Sequence, residues 1–192
     1  MKINSSTTVA CALLLLSAPA GADVIVQEFT DANEWESAVG EFSTINFDTL
    51  PGGTPLDDQY AHLGVTFGPW VWEIAGEKAI SPEPHGSIQV FFDEPQAWAA
   101  FEPGFNLGVR LFSEGKMIYE SELGAFGKHD GTPFGGVISS KPFDEMVIYR
   151  PTIFGGDGGT TIDALHWGIP APGSLALLAL AGMVGPSRRR GA

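Results

Sequence analysis

The chain has 192 residues, a formal charge of −13, 25 glycines, 14 prolines and a single cysteine. This is one domain's worth of chain, and so many breakers exclude a long-helix protein in favour of short strands and turns. The acidic balance excludes nucleic acid, whose phosphates need clustered Lys and Arg, and one cysteine cannot form an internal disulfide.

Residues 1–22 have the layout of a secretory signal peptide. Lys2 provides the positive start and Val9 to Leu16 the apolar run. Ala18-Pro19-Ala20 and Ala20-Gly21-Ala22 provide small-x-small cleavage patterns. The mature chain is expected to begin near Gly21 or Asp23. Because Cys11 lies inside the apolar run, its removal leaves no thiol for catalysis or for a lipid anchor.

Residues 23–168 form the expected domain. All 23 acidic residues lie here against six Lys and Arg, a charge of −17. Asp31 suits an N-cap, with Glu34 three residues on, and Trp35, Val39 and Phe42 recur at helical spacing around Gly40. The period then falls to two: Ile45 and Phe47 alternate with Asn46 and Asp48. Further strands are predicted at 65–67, 70–74, 88–92, 98–101, 109–112, 117–123, 137–139, 146–150 and 162–167, and Glu114-Gly115 reads as a tight hairpin turn. Some ten short strands with no helices between them predict an all-β fold, an antiparallel β-sandwich or jelly roll with one short N-terminal helix.

Residues 169–192 carry a different pattern: Pro170-Ala171-Pro172, an apolar stretch from Leu175 to Val184, then Arg188-Arg189-Arg190. A hydrophobic C-terminal helix over 173–185 falls short of the ~20 residues that span a bilayer comfortably. Its arginines would stay on the cytoplasmic side.

A proline motif, a short apolar helix and a terminal arginine cluster on an exported chain resemble the PEP-CTERM sorting signal, with Ala171 where glutamate is commonest. Ile45-Asn46-Phe47-Asp48, Leu63-Gly64-Val65-Thr66-Phe67, Phe134-Gly135-Gly136-Val137 and Ile162-Asp163-Ala164-Leu165 are similar to pieces of PEP-CTERM ectodomains. The resemblance implies signal peptidase and an exosortase as partners, processing at Pro170, Ala171 and Pro172, and transient anchoring in the inner membrane through 173–185. It implies delivery to the cell surface or exopolysaccharide matrix of a Gram-negative-type bacterium. It brings no assigned activity.

The residues themselves show no Gly-x-Ser-x-Gly elbow, phosphate loop or His-Glu-x-x-His helix, so no catalytic residue is assigned. His62, His85, His129 and His166 are isolated in sequence. Glu120 and Glu122, two apart on one strand, either contribute to a glycosidase carboxylate pair or form a solvated face opposite Met117, Tyr119, Ser121 and Leu123. Calcium is the cofactor the acids suit best, since it takes oxygen ligands from flexible loops. Asp57-Asp58 and Gly155-Gly156-Asp157-Gly158-Gly159 offer such loops, and Asp48 and Asp163 are the candidate ligands because they flank strands that could lie side by side. Trp70 and Trp72 share one face of a strand, where paired indoles either stack on sugar rings or fill the core, leaving Val71 and Glu73 outside. The expected function is therefore that of a non-enzymatic exported surface or matrix protein that binds polysaccharide. A glycan hydrolase and a purely structural envelope protein are the alternatives.

Overall fold

The computed structural model describes residues 23–69, 71–74, 79–82, 86–122, 124–127, 133–151 and 160–168. The expected signal peptide, the sorting segment with Pro170, Ala171 and Pro172, the 155–159 loop and Trp70 lie outside them.

In chain order the elements are β1 (Val26–Phe29), α1 (Ala32–Val39), β2 (Ser43–Asn46), β3 (Pro55–Leu56), a 3-10 turn (Ala61–Leu63), β4 (Val65–Phe67), β5 (Val71–Glu73), β6 (Ile80–Pro82), β7 (Ile88–Pro103), β8 (Gly108–Ser113), β9 (Lys116–Glu120), β10 (Gly135–Tyr149) and β11 (Ile162–Gly168). A mostly antiparallel β-sheet with a short N-terminal helix was expected and is found among the described residues; the expected C-terminal helix lies outside them. Among the described residues no helix is long and apolar enough to cross a membrane.

The frame is built on β7 and β10. Where four shorter strands are expected, two long ones run through, 16 and 15 residues each. They pair in two stretches, Ile138 opposite Trp98 and Met146 opposite Val90, separated by a register irregularity near Phe143 and Gln96. Pro95 and Pro142 sit within this irregular stretch. Proline cannot donate to a ladder, so sequence reading breaks the strand there, whereas the chain only interrupts its pairing and continues. The first half of β7 takes β4 as its other neighbour and the second half takes β11. Likewise the first half of β10 carries β1 and the second carries β8, with β9 beyond it.

Ile88, Val90 and Phe92 from one half of β7 and Ala99 and Phe101 from the other belong to one buried cluster, joined by Ile45, Phe47, Ile148 and Leu165. A second cluster lies on the opposite side of the 97–100 segment, where Trp98 and Ala100 meet Trp35, Val39, Phe134 and Ile138. This explains why residues 97–101, Ala-Trp-Ala-Ala-Phe, show no alternation: both faces of the strand are covered.

The cover on that second side is α1. Asp31 caps it as expected, its Oδ1 accepting from the Glu34 N–H at 3.0 Å. Gly40 ends it at φ 80°, its N–H donating to the Glu36 carbonyl, a backbone state glycine tolerates best. Phe42 falls beyond the helix, yet its ring returns to within 5.2 Å of Trp35. Trp35 also meets Trp98 edge-on at 5.3 Å.

Two face assignments change. Val71 and Glu73 point inward and Trp72 is half-buried on the other side, the reverse of the core-facing reading of the tryptophans. The cause is pairing: Val71 lies opposite Leu56 and Glu73 opposite Ile80, both of them core residues. The strand predicted at 117–123 ends at Glu120, and its parity is altered by a bulge. Leu111 pairs with Tyr119 but Phe112 with Met117, so Ile118 is the extra residue. Met117 consequently shares the face of Glu120 instead of opposing it. The Glu114-Gly115 turn is as expected, with both residues at positive φ between β8 and β9.

Candidate functional site

β2, β11 and β7 lie side by side, and their register determines which polar side chains meet. Asn46 is opposite Ala164 and Thr44 opposite His166 across β2 and β11. Leu165 is opposite Phe101 and His166 opposite Ala100 across β11 and β7. Ile45, Phe47, Leu165 and Phe101 point into the core, so the alternating positions Thr44, Asn46, His166 and Glu102 point away from it. Asp48 follows just past β2, and Asp163 sits where the β11–β7 register slips.

These six side chains line a groove of about 420 Å³ with Ala164 as its floor. Ala164 is the reason a depression exists: it is buried between the longer Asn46 and Glu102 side chains, and its single methyl leaves the space open. At one end the groove runs into the aromatic cover of α1, where Phe42 lies 5.5 Å from the His166 ring and is still 37% exposed.

The electrostatics differ from residue to residue. His166 Nδ1 shares a 2.9 Å hydrogen bond with Thr44 Oγ1, and its Nε2 faces Glu102 Oε1 at 3.9 Å. Burial pushes the imidazole pKa down, so the ring is neutral at pH 7. Burial also pushes the Glu102 carboxyl up, and the neighbouring Asp163 charge adds to this. The site thus offers hydroxyl, amide, imidazole and carboxylate groups on one shallow surface, a set suited to a ligand rich in hydroxyls.

Of the residues singled out in the sequence, Asp48 and Asp163 are brought to this one groove, as the side-by-side strands require. Among the described residues no three His, Cys, Asp or Glu side chains are grouped so as to hold a metal ion. Any calcium ligation by this pair would therefore draw on oxygens such as those of Asn46 and Thr44 or on backbone carbonyls. Asp57 and Asp58 belong to a separate turn, where the Asp57 N–H donates to Gln59 Oε1 and the Asp58 carbonyl accepts from Ala61. Trp72 is not part of the groove lining.

Glu120 and Glu122 do not form a carboxylate pair facing a cavity. Glu120 binds Arg110 at 2.9 Å, which holds its carboxyl below the usual range, and Tyr149 donates to it at 3.3 Å. Glu122 lies past the end of β9 and is exposed. Sequence reading missed Thr44, Asn46, Glu102 and His166. The alternation of residues 45–48 already marked Asn46 and Asp48 as one face, but nothing local linked them to β7 or β11.

Comparison with protein-family models, curated proteins and solved structures gives no match to this chain.

Proposed function

We propose that the chain is an exported surface or matrix protein whose β-sandwich domain binds polysaccharide in the groove over Ala164 without cleaving it. A signal peptide at 1–22 exports it, and an exosortase processes it near Pro170, Ala171 and Pro172 after transient anchoring through 173–185. The sorting part rests on the tripartite C-terminal pattern. The binding part rests on one observation: three neighbouring strands place Thr44, Asn46, Asp48, Glu102, Asp163 and His166 around a small floor residue. A jelly-roll path is supported by the two long strands, which change neighbours halfway yet feed one core. A calcium ion between Asp48 and Asp163 would bridge the domain to sugar hydroxyls.

The test is binding of the exported protein to a glycan array, with and without a calcium chelator, beside the Ala164→Phe variant that fills the groove. Retained glycan binding in Ala164→Phe would remove the groove from the reading. No binding to any glycan leaves the structural envelope role, and unchanged binding under chelation removes calcium.

One observation favours a hydrolase as second reading. Burial and the Asp163 charge beside it raise the proton affinity of the Glu102 carboxyl, and a carboxyl of raised pKa next to a second carboxylate is what a general acid role requires. Release of reducing sugar that Glu102→Gln abolishes would establish it.

A further inference from the structure

The other half of β7 carries a second surface that the groove does not use. In the register of the sheet Phe91 lies opposite Glu145, Glu145 opposite Phe112, and Phe112 opposite Met117. Directly opposed residues project on the same side, so these four side chains form one row across β7, β10, β8 and β9. The core-facing residues beside them, Val90, Met146 and Leu111, are buried, which places the row on the outside. Phe91 is 37% and Met117 47% exposed, and Phe112 and Glu145 are half-buried. The bulge at Ile118 is what brings Met117 to this side.

The row has an unusual charge arrangement. Its glutamate stands between two phenylalanines in the register, and among the described residues no Lys or Arg forms an ion pair with it. Its sequence neighbour Asp144 is a second acid, whose Oδ2 accepts from the Glu114 N–H. Burial and the Asp144 charge both raise the proton affinity of Glu145. A half-desolvated carboxylate with aromatic walls and no cation of its own is complementary to a cationic group with an apolar body, which gains from the ring faces and from the charge together. The whole domain, at −17, attracts such a ligand over distance.

We propose that the Phe91–Glu145–Phe112 row binds an amino-bearing polysaccharide, a polymer of sugars with free ammonium groups, lying across the strands. Phe91 and Phe112 are two strand spacings apart, roughly 10 Å, close to the length of one disaccharide unit, so sugar rings two units apart reach the two phenyl faces while an ammonium group of the ring between them meets Glu145. This rests on the reading of the protein as a polysaccharide binder and adds the chemical class of the polymer and a separate surface for it.

The experiment measures binding of the full exported protein to β-1,4-linked glucosamine oligomers, to the same oligomers fully N-acetylated, and to polylysine. Glucosamine oligomers are expected to bind about tenfold tighter than the acetylated ones, with an advantage that shrinks as salt rises. Phe91→Ala with Phe112→Ala, and Glu145→Gln alone, are each expected to remove that advantage. All three positions are outside the core, and unchanged thermal unfolding shows that the fold is kept. Equal affinity for the acetylated oligomers, or a preference that survives these variants, overturns the proposal. Polylysine binding as tight as the glucosamine oligomers and equally sensitive to the variants also overturns it, in favour of a basic protein partner. Neutral-glycan binding, read separately in Ala164→Phe, tests the groove, so either surface can fail alone.

Discussion

The outer side of the sheet, from β10 across β7 and β11 to β2, has two unlike ends. At one end α1 closes over it, and Trp35, Trp98, Ala100 and Phe134 pack dry, with Trp35 and Trp98 almost wholly buried. At the other end no element among the described residues covers the strands, and the alternating positions hold Thr44, Asn46, Glu102 and His166. β7 contributes to both ends, and the covered end is where α1 lies over β7, β10 and β1. An eight-residue helix covers only about 12 Å of sheet, and the polar residues begin where it stops. Stability is expected to concentrate at the covered end and ligand contact at the open one.

The largest expected effect is at the cover. Trp35→Ala should cost about 3–5 kcal/mol, because it removes a buried indole from contact with four other rings and leaves a cavity. Asn46→Ala, on the same face at the open end, should change stability by about 0.5 kcal/mol or less. Urea unfolding of both variants measures this, and equal losses would erase the distinction between the ends.

Gly136→Ala should come next. A Cβ there would lie 2.5 Å from Trp35 Cδ1 and 2.9 Å from Phe134 Cε1, so the cover would have to shift. Overpacking of this kind costs about 1–3 kcal/mol. A variant with wild-type stability would mean that the helix rides loosely on the sheet.

The smallest effect concerns His166, at the boundary between the ends. Its folded pKa lies below the ordinary 6.5 because of burial. The unfolded chain therefore takes up the proton first, and this residue's contribution to stability is lost as pH falls from about 6.5 toward the folded value. Glu102 acts in the opposite sense. Its folded pKa is raised above 4.5, so its burial weakens the fold as pH climbs through and above 4.5. The melting temperature of His166→Gln should fall less than that of the wild type between pH 7 and 5. Parallel profiles would place the imidazole in water, on the open side of the boundary.

Much of the architecture was legible locally. The Asp31 cap, the Gly40 stop and the Glu114-Gly115 turn each depend on a few adjacent residues. The alternation of residues 45–48 separated core from exterior because period two is a property of the strand itself. Reading failed where pairing overrode local pattern. Pro95 and Pro142 looked like strand ends, the face of Trp72 stayed open between core and exterior, and Met117 was put on the wrong face by a one-residue bulge.

The groove shows the same division. Asp48 and Asp163 could be linked in advance because they flank strands able to lie together, and the structure places both in its lining. Glu102 could not, since it ends an apolar run and its acid neighbour is 61 residues away in the chain.

By itself the sequence determined the acidic, thiol-free β character of residues 23–168, the helix capped at Asp31 and the distinct patterns at either end, all of which follow from composition and short-range periodicity. Only the tertiary structure decided which strands adjoin, how far α1 reaches over them, and hence which polar side chains stay in water around Ala164 and which rings flank Glu145. Those outcomes depend on long-range register, and a shift of one residue in register moves every side chain to the opposite face.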